Sequence, residues 1–381
     1  MNVLLVNTSG ESEHTTFVPL ALLKLSTKHK GLNDNVEFVI AGKKPKSKPD
    51  IIYFSLIFAF KKKNDLNWIN GYAKIYKDSV IKIGGISVTL NYDFFNKNIK
   101  HKNYEIIKGL VPELDNYIPD YKIAGLNYSY GFTSRGCHRK CDWCCVPKTE
   151  GITKIIDNWK LVIDVNHDRF IAFDNNILFT NPQHLENVLK YISDNNMKIE
   201  FNQAMDAELF VKRKEEMYPI FLKYQHIFIR FIFSWDSERC NDFIKNTMEM
   251  ISGFKTEKNN VIFMLFDIAE QKPEDFLFRI QFIYDNFKNV HVKPMRFINV
   301  MTGQYPRPWG SIGDMFSAWL SNSFNHTGQI PTNVYDRFLK GINFDEFKEL
   351  SNELICWKKL VDSKYHPYTE FIDWRNNLKR N

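Results

Sequence analysis

Residues 136–145, Gly136-Cys-His-Arg-Lys-Cys-Asp-Trp-Cys-Cys145, set three thiols at C-x3-C-x2-C spacing in Cys137, Cys141 and Cys144. Iron–sulfur cubes are held by Cys thiolates, normally four of them, so a triplet leaves one iron open to an outside molecule. Structural zinc is instead closed by four protein ligands, usually as two separated pairs. The spacing therefore favours a cluster with a vacant iron. A zinc knuckle is the alternative, and its fourth ligand would come from His138, Cys145, Cys240 or Cys356. Cys145 reads as a bystander beside the ligands, and Cys240 and Cys356 as small buried apolar residues.

Outward from this loop the chain alternates strand-like apolar runs with helical stretches. Tyr128 to Thr133, Arg169 to Phe173, Lys198 to Phe201, Ile227 to Phe233, Val261 to Phe266 and His291 to Phe297 read as six strands. Helices are expected between them at Pro182 to Asn195, Ala207 to Tyr224, Glu238 to Ile251 and Pro273 to Phe287, where apolar positions recur three and four apart. Such a repeat predicts a partial (βα)6 TIM-type barrel, with chemistry at the carboxyl ends of its strands. Upstream, Val3 to Val6, Val36 to Ile40, Ile51 to Phe58 and Val80 to Ile83 are separated by helical stripes at Leu20 to Leu25 and Leu66 to Tyr76. That pattern predicts an α/β, doubly wound parallel sheet. A proline-punctuated connector follows at 112–121. Three regions result: a Rossmann-like domain over 1–124, the partial barrel over 125–300, and a mostly helical cap over 301–381.

The cysteine triplet resembles the signature of the radical S-adenosylmethionine (radical SAM) enzymes, and Trp143, the aromatic before the last cysteine, fits that family's position beside adenine. The resemblance implies a 4Fe-4S cluster on Cys137, Cys141 and Cys144 whose open iron is chelated by SAM. It implies reductive SAM cleavage, a 5′-deoxyadenosyl radical and hydrogen abstraction from substrate. It also implies an oxygen-sensitive protein fed by a one-electron donor such as flavodoxin or ferredoxin. By position, Asp174-Asn175-Asn176 match the polar motif that receives the SAM amino group, with an Asx turn as the plain structural alternative. Asn202 and Gln203 lie in a stretch similar to N-Q-G-x-D-x-R, with Ala204 in place of the glycine and Glu208 in place of the arginine. Asp206 there suits a helix N-cap. Ser234 and Asp236 offer acceptors for the ribose hydroxyls, and an N-cap reading is equally open. No catalytic residue is assigned, and the substrate class stays open among a small molecule, a peptide and a nucleic-acid base.

The first domain resembles the cobalamin-binding domain that precedes the radical core in one branch of the family. Ser55-Leu56-Ile57 and Gly84-Gly85 match the motifs that line the nucleotide-tail slot. The D-x-H-x-x-G loop survives only as Ser12 to Phe17, which keeps His14 and loses the aspartate and the glycine. A ligating imidazole normally needs such an orienting partner, so the resemblance stops short of predicting bound cobalamin. Val146-Pro-Lys-Thr-Glu-Gly151 and the Pro19, Ala21, Leu22, Lys24, Leu25 pattern are similar to a branch of largely uncharacterised relatives. Three function classes follow: a radical SAM enzyme, a cobalamin-dependent radical SAM methyltransferase, and a non-enzymatic zinc- or RNA-binding protein that uses the triplet structurally.

Composition constrains the setting. The 381 residues carry a net charge of +7, with much of the excess in runs such as Lys43 to Lys48 and Lys61 to Lys63. So modest a surplus is compatible with a nucleic-acid substrate without requiring one. No apolar run approaches the roughly 18 residues that cross a bilayer, and Met1 to Val6 lacks the basic start of a signal peptide. Six cysteines in a chain of this length are no disulfide framework. The expected compartment is a reducing cytoplasm, with no membrane partner.

Overall fold

The computed structural model describes residues 1–9, 18–237 and 240–268, scattered positions between 271 and 287, and residues 289–300 and 303–308. His14, Cys356, most of the helix expected at 273–287 and the helices of the expected cap lie outside the described residues. The chain divides into two compact units, one formed by Met1–Ser234, Asp242–Asn260 and Ile298–Tyr305, the other by Trp235–Asn241, Val261–Phe297 and the chain from Pro306 onward.

The first unit opens with strand β1 (Asn2–Asn7), helix α1 (Leu20–Gly31), β2 (Asn35–Ile40), β3 (Ile51–Ser55), α2 (Lys62–Ile75) and β4 (Val80–Gly84). Two short helices, α3 (Ile86–Leu90) and α4 (Tyr92–Asn98), lead to β5 (Tyr104–Ile106). The five strands are parallel in the order β2-β1-β3-β4-β5. This is a doubly wound sheet whose strand order reverses between β1 and β3, where such sheets hold ligands beyond the strand ends. One face packs Leu4, Val6, Ile52, Phe54, Ile81 and Ile83 against Ile69, Tyr72 and Ala73 of α2, and the other packs Val3, Leu5 and Tyr53 against Leu22 of α1.

Helix α1 is apolar on two sides because it has two sheets to cover. Leu22 and Leu25 meet the first sheet, while Leu23, with Val18 just before the helix, joins Tyr121, Tyr130, Ile171 and Ile229 in a second core. Its polar residues grip the connector: Ser26 and Lys30 both donate to Asp120 at 2.6 Å, Thr27 donates to the Ile118 carbonyl at 2.5 Å, and Lys28 pairs with Glu113 at 2.7 Å.

That second core lies on a three-stranded parallel sheet, β6 (Ser129–Gly131), β9 (Arg169–Ala172) and β10 (Lys198–Phe201), ordered β10-β9-β6. Between β6 and β9 come β7 (Ser134–Arg135), α5 (Val146–Thr149) and β8 (Lys154–Ile155). Helix α6 (Pro182–Asp194) joins β9 to β10; β11 (Met205–Asp206), α7 (Ala207–Lys212) and α8 (Lys214–Lys223) follow. The helix expected over 207–224 thus breaks at Arg213, whose guanidinium turns back to the Leu178 and Thr180 carbonyls at 2.5 and 2.8 Å. The strand expected over 227–233 also starts late. A 3-10 turn occupies Gln225–Ile227, Phe228 bridges to Ile199, and regular pairing begins with β12 (Ile232–Trp235). Asn260 explains part of the delay, since its side chain takes the Phe231 N–H at 2.9 Å.

Helix α9 (Asn241–Ile251), β13 (Asn260–Phe266) and β14 (Val290–Arg296) complete the described elements. In the second unit β13 lies beside β14, and buried Arg279 donates to the carbonyls of Trp235 and Leu265 at 2.7 and 3.1 Å. The architecture is mixed α/β with parallel sheets, and among the described residues no sheet closes into a barrel. No helix there is long and apolar enough to cross a membrane.

Candidate metal-binding loop

The cysteines lie on an excursion pinched at its base. β7 and β8 pair antiparallel, Ser134 opposite Ile155 and Arg135 opposite Lys154, so both ends of the loop are held together. Gly136 begins the loop at φ +86°, with its Cα pressed against the facing strand end; a Cβ there would lie 2.3 Å from the Ile152 carbonyl oxygen. No L side chain fits such a position. The Gly136 N–H donates to Asn175 Oδ1 at 2.8 Å and to Glu150 Oε2 at 3.3 Å, and the Cys137 N–H donates to the Gly151 carbonyl at 2.9 Å. Further along, Cys144 N–H closes a turn onto the Cys141 carbonyl at 3.0 Å, and α5 starts with Pro147 in its first turn.

Cys137, Cys141, Cys144 and Cys145 are each half-buried and form no disulfide among the described residues. Burial pushes the Cys137 thiol up, and Cys144 adds to the effect; burial likewise pushes Cys145 up to about 11. The Arg139 N–H opposes the shift at Cys137 by donating to its sulfur at 3.4 Å. Among the described residues no three His, Cys, Asp or Glu side chains converge as the ligands of a metal ion. The donor set nonetheless fits a cluster in its chemistry: three thiols of one exposure class on one loop, with a backbone donor already aimed at the first sulfur.

The polar residues after β9 serve this loop. Asp174 is buried and accepts from Thr133 N and Oγ1 at 3.2 and 2.7 Å and from Ser134 N and Oγ at 2.5 and 2.6 Å. Burial raises its pKa, and those donors work in the opposite direction. Since the Thr133 hydroxyl gives its hydrogen to Asp174, His184 Nε2–H is the donor in the 2.9 Å contact to Thr133, and burial keeps that imidazole neutral with a pKa down at about 4. Asn175 holds Gly136, and Asn176 caps the turn Ile177–Phe179 through the Leu178 N–H.

After β10, half-buried Asn202 and exposed Gln203 form the turn into β11, and Ala204 in that turn sits at φ +65°. This is the left-handed region that favours glycine. Asp206 caps α7 by accepting the Leu209 N–H at 2.9 Å, as its position predicts. It also joins Glu208 in clamping Arg139 of the cysteine loop, at 2.6 and 2.7 Å. Half-buried Ser234 is the register partner of Asp206, and half-buried Trp143 lies within the loop itself. Asp236 belongs to the second unit, where its carbonyl accepts from Gln271. Arg230 is paired with Glu200 at 2.8 Å. The first unit therefore gathers the cysteine loop, Asp174, Asn175, Asp206 and Glu208 through direct bonds. Sequence reasoning missed Arg139, Glu150 and Thr133 as loop-holding residues; a basic residue inside the triplet and an acid at its far end were the available signals.

In the first domain Ser55 and Gly84 are register partners. Gly85, at φ +102°, lies against Leu56, whose carbonyl oxygen a Cβ would approach to 2.4 Å. The glycine pair thus has a packing reason of its own. Comparison with protein-family models and with curated proteins finds no match for this chain.

Proposed function

We propose that the chain is a radical SAM enzyme, with Cys137, Cys141 and Cys144 as the three ligands of a 4Fe-4S cluster. The observation that carries the reading is the triplet itself, borne on a loop that Gly136, Asn175 and Glu150 fix just beyond β6. When bound, such a cluster would supply one electron to the sulfonium of SAM, breaking its C5′–S bond to give methionine and a 5′-deoxyadenosyl radical that would take a hydrogen atom from substrate. Strands β6, β9, β10, β12, β13 and β14 are read as the successive strands of a partial (βα)6 barrel, whose strand ends carry the chemistry.

The chain's own residues prepare the site. Each cysteine gives up a proton to become a ligand, and the Arg139 N–H favours the thiolate of Cys137. Asp206 and Glu208 hold the Arg139 side chain, leaving its backbone in place to do so. Trp143, Asn202, Gln203 and Ser234 are the proposed contacts to the nucleotide and methionine parts of SAM, while Asp174 and Asn175 act through the loop they hold. The electron donor is proposed to be a flavodoxin or ferredoxin type of protein in a reducing cytoplasm. Anaerobic reconstitution with iron and sulfide, then dithionite and SAM, tests the reading. About four irons and four sulfides per chain and release of 5′-deoxyadenosine are expected. One tightly held zinc, or an intact SAM pool beside a loaded cluster, overturns it.

A further inference from the structure

Four charged side chains form two ion pairs, one joining α1 to the connector and one joining the two ends of the cysteine loop. Lys24 of α1 is buried and bonds Asp115 of the connector at 2.6 Å, with side-chain exposures of 4% and 23%. Arg135, at the base of the loop, faces Glu150, at its far end, at 3.6 Å, with exposures of 20% and 8%. The two pairs act on each other: Arg135 disfavours the charge on Lys24, and Asp115 disfavours the charge on Glu150. A side-chain bond runs the same way, since the Asn158 amide just beyond β8 donates to the Asn116 side chain, next to Asp115, at 2.8 Å. Arg135 stacks 3.8 Å from the Phe132 ring, and its Nε is buried without a partner.

Such an arrangement is a poor stability device. Each buried ion carries a desolvation penalty of about several kcal/mol, and well-packed apolar replacements are often as stable or more so. What buried ion pairs do best is fix register. The loop needs that: Gly136 N–H, the first donor of the loop, is shared between Asn175 and the Glu150 carboxylate that Arg135 holds.

We propose that Lys24, Asp115, Arg135 and Glu150 are positioning residues that register the cysteine loop on the first domain, so that α1 sets where Gly136 and Cys137 sit. The purpose assigned to the loop rests on the radical SAM reading; the registration itself does not. Lys24→Met keeps the length of the side chain and removes its charge far from the cysteines in sequence, and Glu150→Gln keeps an acceptor for Gly136 while removing the other charge. The full iron-free chain and both variants are compared by backbone hydrogen exchange over residues 134–152 and by thermal unfolding, and each is then reconstituted with iron. The expected result is exchange at Gly136 and Cys137 about tenfold faster or more in each variant, well beyond any change elsewhere in the chain, with iron uptake lowered and the thermal midpoint somewhat lower because each variant leaves a partner charge unpaired. Exchange at those two amides equal to wild type in Lys24→Met overturns the proposal. So does a rise of equal size spread over the whole chain, which marks a merely structural pair. If the loop loosens as expected while even the wild-type chain takes up no iron, registration stands and the radical SAM reading falls.

Discussion

Asp65 of α2 offers the sharpest quantitative test of the fold. It lies 2% exposed near the carboxyl end of β1, bonded to Thr8 and within the field of Lys61, and burial lifts its pKa from the ordinary 3.8 to about 6. A folded-state pKa raised above the unfolded value means the native chain prefers the protonated acid. The contribution of Asp65 to stability is therefore fully present below pH 3.8 and is lost as the pH rises through about 6. At 1.36 kcal/mol for each tenfold change, carrying the carboxyl from 3.8 to about 6 costs about 3 kcal/mol at neutral pH. Asp65→Asn keeps a carbonyl oxygen for Thr8 and cannot ionise. In urea unfolding followed from pH 4 to 8, the variant should match wild type at the acid end and gain up to about 3 kcal/mol by pH 7. A difference independent of pH refutes the argument, because it would place the carboxyl in water or beside a stronger cation in the native chain.

Other outcomes follow from the loop and its supports. Ala204→Gly removes a left-handed alanine that costs about 1–2 kcal/mol, partly offset by the greater freedom of unfolded glycine, so urea unfolding should show a gain of about 0.5–1 kcal/mol. Asp174→Asn turns an amide N–H₂ toward donors of Thr133 and Ser134, and leaving a buried group unpaired should cost about 3 kcal/mol and lower iron uptake after reconstitution. Cys137→Ala, Cys141→Ala and Cys144→Ala should each abolish SAM cleavage, whereas Cys145→Ala should keep iron content near wild type; equal loss in the Cys145 variant would show that the ligands are misassigned.

The sequence made the buried strands legible because their residues are apolar along nearly their whole length. β1, β3 and β9 all fall inside or beside runs read that way, and parallel strands covered on both faces must be written so. β5 escaped notice because Tyr104-Glu-Ile106 is a three-residue edge strand that carries little apolar signal. The pairing of β7 with β8 rests on two residues a side, too few for any periodicity. At the loop, thiol spacing is local and could be read directly. What holds the loop could not: Asp174 meets Thr133 across 41 positions and Arg139 meets Glu208 across 69. The departures at Ala204 and Glu208 looked like losses in the sequence; in the structure Glu208 has its own counterpart in Arg139, while Ala204 keeps the backbone turn and bears its strain.

Helix α1 is shared property. With Leu22 committed to one sheet and Leu23 to the other, neither neighbour can keep it without leaving an oily scar on the other. A protease that nicks the chain at exposed Leu110 and Val111 should therefore yield fragments that travel together through gel filtration. For the same reason, the front portion of this gene is a poor candidate for shuffling between proteins: a transplant would bring the helix and abandon the surface it was made to cover.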